Sequence, residues 1–414
     1  MEAFYTQFIQ ETFDETGQIT HWAYTYADNY NYSYDAIDPL GERCSNRLAM
    51  LWRNDRGEEK RLTFGALKTL SIQAANLFQS RGLKKGDVIM TALRTHWSYW
   101  VVALAAHRLG LVLSPSYYLL TQKDFAFRMQ KANVRCVITC RESQAEARVL
   151  AAAEEAGVPL RFALGGGDGF EDFLEGVAAQ SPVMDRVETR WSEPILLYFT
   201  SGTTGMPKMV RHNFSYPLGH IVTAKYWQQV EENKLHMSVS DSGWAKFGWG
   251  KIYGQWVCGA VIFCYDMEAK FNPRHLLEHL EKYKVTTFCA PPTMFRFMLQ
   301  EDVTKYDLSS IHHCCIAGEP LNPEVFKQWL ELTGLKLYEG FGQSESSVML
   351  ANFQWFEPIP GSTGKPSPLY NIQLVDGEGN LCEDGEEGTI AVMGVKEHPP
   401  VGLFTGYYLN DEMT

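Results

Sequence analysis

The run Thr200-Ser201-Gly202-Thr203-Thr204-Gly205-Met206-Pro207-Lys208 packs hydroxyls, glycines and a lysine into a loop the size of a phosphate group. Hydroxyls and glycine-exposed backbone N–H groups donate to phosphate oxygens, and the lysine adds positive charge, which is what holding a polyphosphate such as ATP requires. The apolar run 194–199 just before it reads as a buried strand. A Ser/Thr/Gly stretch taken alone is a flexible linker. The preceding strand, the apolar and aromatic stretch that follows and the Pro-Lys ending point instead to a phosphate-binding loop. It is not a Walker A loop, because Lys208 is followed by Met209 rather than by Ser or Thr.

A second candidate lies at Tyr338-Glu339-Gly340-Phe341-Gly342-Gln343-Ser344-Glu345. The stretch 335–338 alternates as a short strand, and Gly340 and Gly342 let the backbone pass close to a flat ligand such as adenine; an ordinary glycine turn is the alternative. Ser344 and Glu345 set a hydroxyl beside a carboxylate, a pair that suits phosphates and a Mg²⁺ ion with its preference for oxygen ligands, or equally a helix start. A third candidate is the segment 240–250, where Trp244, Phe247 and Trp249 stand among glycines and alanine. That composition offers an apolar surface with room beside it for an alkyl or aryl chain, with ordinary core packing as the competing reading.

The 200–208 run resembles the signature loop of the adenylate-forming superfamily, which includes acyl-CoA synthetases, luciferases and peptide-synthetase adenylation domains. Three more segments follow that family's pattern: 290–293 (Ala-Pro-Pro-Thr) resembles the stretch beside the carboxylate substrate, 317–322 (Ala-Gly-Glu-Pro-Leu-Asn) the adenine-side loop, and 338–345 the Tyr-Gly-x-Thr-Glu motif, with Ser344 for the usual Thr. The resemblance implies nucleotide contacts from Thr200, Ser201, Gly202, Thr203, Thr204, Gly205, Lys208, Gly318, Glu319, Pro320, Glu339, Gly340, Phe341, Gly342, Gln343 and Ser344. It implies catalytic roles for Lys208, Ser344 and Glu345, with Glu345 as the metal ligand. The segment 240–250, with the loops at 318–323 and 338–343, looks closest to the medium-chain acyl-CoA synthetase branch. Substrate contacts from Trp244, Lys246, Phe247, Gly248, Trp249, Gly318 and Gly340 would follow, Trp249 and Gly318 helping to set the chain length accepted.

The implied reaction joins a small-molecule carboxylic acid to ATP with Mg²⁺, giving an acyl-adenylate and pyrophosphate, and then passes the acyl group to coenzyme A. An aryl-acid CoA ligase and a non-catalytic acyl or nucleotide binding module are the alternatives. The resemblance stops at 406–414, before the family's ribose-binding aspartate, hinge and small C-terminal domain with its catalytic lysine. The expectation is therefore the large domain alone, with the small C-terminal domain absent, adenylation slowed on the order of 10²- to 10³-fold and no thioester formed.

These residues need a scaffold, and the chain alternates helix and strand. Helices are expected over 64–82, 99–109, 125–132, 144–156, 273–283 and 323–332, and strands over 88–93, 111–114, 134–139, 160–164, 257–265, 286–290, 312–317 and 336–338. Such alternation builds βαβ units. The expected fold is α/β: two packed, predominantly parallel sheets covered by helices (αβαβα), plus the start of a small distorted β-barrel from 361 on, where acidic turns include a hairpin at 376–380. The expected division is 1–190, 191–360 and 361–414, the middle part carrying the phosphate loop.

With 414 residues, 45% of them hydrophobic, the chain can bury large cores, and a formal net charge of −12 argues against a non-specific nucleic-acid binder. The apolar stretch 100–113 is too short to span a bilayer and contains His107 and Arg108, and nothing at the N-terminus resembles a signal peptide. Nine cysteines without a Cys-x-x-Cys pair read as reduced thiols in a cytoplasmic protein, one that could form oligomers. His312-His313-Cys314-Cys315 reads as a core strand rather than a metal cluster, because neighbours on a strand point to opposite faces.

Overall fold

The computed structural model describes residues 3–141, 145–200, 207–268 and 270–414. Two large sheets dominate. A seven-stranded sheet runs in the order Lys208–Asn213, Pro194–Thr200, Val112–Pro115, Val88–Ala92, Val134–Cys140, Leu160–Leu164 and Glu171–Asp172, parallel except for its first pair. The nine-stranded sheet is parallel from Leu337–Phe341 through His313–Ile316, Thr287–Ala290, Leu235–Ser238 and Val261–Asp266 to Leu48–Asn54. Antiparallel strands close its two edges, Glu59–Thr63 at one and Leu350–Ala351 with Lys365–Pro366 at the other.

Side chains alternate along these strands and so feed two layers each. On Val261–Asp266, Ile262 and Cys264 join the large central core, while Phe263 and Tyr265 join a second core with Leu276, Leu280, Phe295 and Trp329 of the outer helices. On Pro194–Thr200, Leu196 and Tyr198 face the central core, and Leu197 and Phe199 pack with Phe125, Met129 and Val149 on the far side. The central layer is helical: Phe64–Ser80, Ser98–Leu109, Tyr216–Val222 and Tyr253–Val257 lie between the sheets. Trp256, on the last of these, stands edge-on to Phe64 and donates to the Ala49 carbonyl at 2.9 Å. This is the expected αβαβα layering.

The division at residue 190 does not coincide with the sheets. Residues 48–63 pair in the nine-stranded sheet, and residues 194–213 supply two strands of the seven-stranded one. Beyond 361, Lys365–Pro366 joins the edge of the nine-stranded sheet, and Ile372–Val375 pairs with Thr389–Val392 in a separate two-stranded antiparallel sheet with the turn 376–380 at its edge. Two local expectations shift. Residues 253–257 are helical because Gly259, at φ +83°, turns the chain before the strand starts at Val261. Lys208–Asn213 is a strand that the glycine-rich run ahead of it had masked, its alternation carried by Val210 and His212.

The nine cysteines carry no disulfide, and among the described residues no group of three His, Cys, Asp or Glu side chains could hold a metal ion. His313 and Cys315 both turn to the Trp227 carbonyl, at 2.7 and 3.1 Å. Among the described residues no helix is long and apolar enough to cross a membrane.

The central layer also buries a run of neutral imidazoles. His107 and His220 each stack near Tyr253, with ring centroids 5.9 Å away, and His212 lies 3.9 Å from the Tyr216 ring. Burial pushes His107 and His220 down to about 3 and His212 to about 4. The unfolded chain therefore binds protons below about pH 6.5 that the folded protein refuses, so stability is full above that pH and falls as pH drops towards 4. Urea unfolding between pH 7 and 4.5 should show losses on the order of 1–2 kcal/mol per histidine by pH 5; a flat profile would contradict this assignment.

Candidate active site

The loops at the carboxyl ends of parallel strands in the nine-stranded sheet open on one side, the position where open α/β sheets bind ligands. They are 239–244 after Leu235–Ser238, 291–293 after Thr287–Ala290, 317–321 after His313–Ile316, and 342–347 after Leu337–Phe341. The end of strand Pro194–Thr200 reaches the same place from the other sheet. A cavity of about 660 Å³ lies there, and its walls include Thr200, Trp244, Lys246, Trp249, Gly318–Pro320 and Glu339–Glu345. The loop 317–321, the segment 339–345 and part of the segment 240–250 are thus gathered on one space.

Hydrogen bonds fix these loops to one another. Lys246 Nζ donates to the Ala317 carbonyl at 2.6 Å, tying helix Ala245–Lys251 to the loop at 318, and its surroundings lower its pKa by desolvation. Thr293 Oγ1 donates to Glu319, linking 290–293 to the same loop. Gly318 has φ +102°, a left-handed geometry that a side chain would strain. Residues 343–346 form a turn, closed by Gln343 N to Ser346 Oγ at 3.1 Å, so Ser344 and Glu345 do not start a helix. The floor is Glu339, 8% exposed, whose carboxyl is pushed up by desolvation.

The glycines after Tyr338 serve a purpose that only the structure reveals. A Cβ on Gly340 would meet the Trp227 indole at 2.5 Å, and one on Gly342 would meet the Trp249 indole at 2.1 Å and the Ser347 carbonyl at 2.6 Å. Two indoles lie against this strand, and glycine gives them room.

A second cavity of about 410 Å³ adjoins the first and shares Trp244, Lys246 and Ala317–Glu319 with it. Met237, Val239, Met267, Pro291 and Met294 make much of its wall, with Asp241 and Lys251 at its polar side. Lys251 is 3% exposed and donates to the Ser240 carbonyl at 3.0 Å. Trp244, 59% exposed, stands where the two spaces meet. Met237 and Met294 carried no sequence signal as site residues, because apolar strand and helix residues look alike whether they line a core or a cavity.

Other expected residues lie elsewhere. Phe247 is 1% exposed and packs on Tyr99 and Trp100 with centroids 4.7 and 5.0 Å away, so it lines neither cavity. Gly248 faces Tyr198 and Tyr253, beneath the site. Lys208 begins its strand opposite Thr200 and borders a smaller hollow of about 230 Å³ with Tyr407 and Tyr408. Ser201, Gly202, Thr203, Thr204 and Gly205 fall outside the described residues.

Glu345 lines the first cavity. One oxygen accepts from Tyr407 OH at 3.0 Å, and its backbone carbonyl accepts from Phe404 N at 2.7 Å. A carboxylate on the cavity wall fits Mg²⁺, which keeps waters and takes further oxygens from substrate phosphates instead of needing an all-protein cage.

A model of the AMP-binding enzyme family matches residues 40–408. Among curated proteins, the mitochondrial acyl-coenzyme A synthetase ACSM3 of Rattus norvegicus is 36% identical over 394 residues, 93% of this chain and 67% of its own length. The mitochondrial acyl-coenzyme A synthetase ACSM4 of Homo sapiens is 35% identical over 395 residues, 93% and 68% of the two lengths. A Brucella canis acyl-CoA synthetase structure superposes with TM-score 0.83 at 24% identity, covering 92% of this chain and 69% of that one. The anthranilate CoA ligase AuaEII in complex with anthranoyl-AMP gives 0.82 at 20%, covering 94% and 72%. These two structures bear on the fold, which they share.

The glycine geometry yields a direct test. Gly342→Ala should push Trp249 out of its seat and cost about 1–3 kcal/mol, measured by chemical denaturation; wild-type stability would mean that the indole does not need this space.

Proposed function

The chain belongs to the AMP-binding enzyme family, and from that premise we propose that it takes part in activating a medium-chain carboxylic acid with ATP and in passing the acyl group to coenzyme A. The observation that carries this reading is the pairing of the two cavities. A larger space of mixed lining, with aromatic side chains beside Glu339, Ser344 and Glu345, suits a nucleotide, and an apolar space reached past Trp244 suits an alkyl chain. The curated relatives, named as acyl-coenzyme A synthetases, support the same choice.

In the first half-reaction a carboxylate oxygen attacks the α-phosphorus of ATP and pyrophosphate leaves. In the second the coenzyme A thiolate attacks the acyl carbonyl and AMP leaves. The reacting carboxylate would sit near Trp244 and Gly318, where the cavities join, with its chain beside Met237 and Met294. The backbone of 318–320 and 339–343 would flank the adenine, and Ser344 would hold the α-phosphate end by its hydroxyl. Mg²⁺ at Glu345 would offset charge developing on the phosphates. Lys208 would steady the pyrophosphate, together with the hydroxyls and N–H groups of the 200–205 run.

A planar aryl acid is the second reading, because the exposed Trp244 indole offers a face to stack on. On localisation, reduced and mostly buried thiols suit the cytoplasm, and equally the mitochondrial compartment in the relatives' names.

Acid-dependent exchange of pyrophosphate into ATP tests the reading. We expect exchange with alkyl acids of medium length, exceeding that with aryl acids; Glu345→Gln should lower it on the order of 10²-fold, and Lys208→Ala should raise the ATP requirement while leaving the ranking of acids unchanged. Absence of exchange with every acid, despite ATP binding, would favour a non-catalytic binding module.

A further inference from the structure

Residues 404–408 form a strap between the two sheets. On one side it adds to the edge of strand Lys208–Asn213: Thr405 N donates to the Arg211 carbonyl at 2.8 Å, Arg211 N to the Gly406 carbonyl at 3.1 Å, and Tyr408 N to the Met209 carbonyl at 2.8 Å. The Arg211 guanidinium also donates to the Thr405 carbonyl at 2.7 Å. On the other side Phe404 N holds the Glu345 carbonyl. Gly406, at φ +115°, takes a turn that a side chain would strain, and Tyr407 is delivered from it with its backbone fixed at both ends.

Tyr407 touches two of the residues on which the proposed chemistry rests. Its hydroxyl donates to Glu345 Oε1 at 3.0 Å, and the Lys208 ammonium lies 5.1 Å from the centre of its ring. A phenol donating to a carboxylate fixes the carboxylate's rotation and leaves the second oxygen free for a cation. An aromatic face holds an ammonium by the ring quadrupole without consuming any of its three N–H donors. One side chain therefore orients the candidate metal ligand and parks the candidate pyrophosphate cation.

We propose that Tyr407 is a positioning residue: its hydroxyl aims Glu345 at the magnesium ion, and its ring holds Lys208 ready for the polyphosphate. This rests on the reading of Glu345 as the metal ligand. Tyr407→Phe separates the two contacts, because it keeps the ring on which Lys208 sits and on which Phe404 packs, with centroids 5.0 Å apart, and removes only the hydroxyl.

The test measures Mn²⁺ binding to the protein with α,β-methylene-ATP, by electron paramagnetic resonance, alongside metal-free binding of the same nucleotide by calorimetry. Tyr407→Phe should weaken Mn²⁺ binding roughly tenfold and leave metal-free nucleotide affinity unchanged. Tyr407→Ala should weaken both. Glu345→Gln serves as the control. If Glu345→Gln weakens Mn²⁺ binding and Tyr407→Phe does not, the role of Tyr407 is refuted while the metal-ligand reading stands. If Glu345→Gln has no effect, the metal-ligand reading fails and the proposal falls with it.

Discussion

His212 donates from Nε2 to the Ser344 carbonyl at 2.7 Å, and this bond joins the strand that follows the phosphate-loop run to the turn that carries Glu345. A nucleotide site built from two sheets works only if their edges hold a fixed separation, and loops alone give poor precision. Here the donor is a fully buried imidazole, kept neutral because burial lowers its pKa to about 4. Neutrality matters: the Nε2 proton then serves a carbonyl without bringing an unpaired charge into the core. The strap 404–408 reinforces the same junction from the solvent side, through backbone bonds to residues 209–211 and to Glu345.

The rest of the site depends on that separation. Trp227 and Trp249 press against Gly340 and Gly342 from the central layer, and Trp227 Nε1 donates to the Tyr338 carbonyl at 3.1 Å. Trp227 backs the strand, and Trp249 both packs on it and lines the cavity, so packing and ligand shape are set by the same residues. Lys246 does similar work from helix Ala245–Lys251, bonded to the Ala317 carbonyl while lining both cavities.

Much of this was legible in the sequence where local pattern and global fold agree. The alternation of Val88–Ala92 with Ser98–Leu109 and of Thr287–Ala290 with Pro323–Thr333 announced a parallel α/β fold, and glycine-rich turns after apolar strands marked the ligand edge. What could not be read were relations between distant segments. Phe247 and Trp249 have the same character in the chain, yet one is packed on Trp100 and the other lines the cavity. Nothing in the spacing of Tyr407 from Glu345, 62 residues apart, indicates their hydrogen bond. The sheet crossing at residue 190 is hidden for the same reason, since pairing of Leu48–Asn54 with Val261–Asp266, far along the chain, leaves no local trace.

The central claim is that one nucleotide and one acyl chain occupy the two joined cavities across the junction at Trp244. A crystal structure with an octanoyl-sulfamoyladenosine, a stable mimic of the acyl-adenylate, tests it most directly. The account predicts adenine between residues 318–320 and 339–343, and the octanoyl chain beyond Trp244 against Met237 and Met294. Adenine bound at another surface, or an acyl chain pointing to solvent with the second cavity empty, would contradict it.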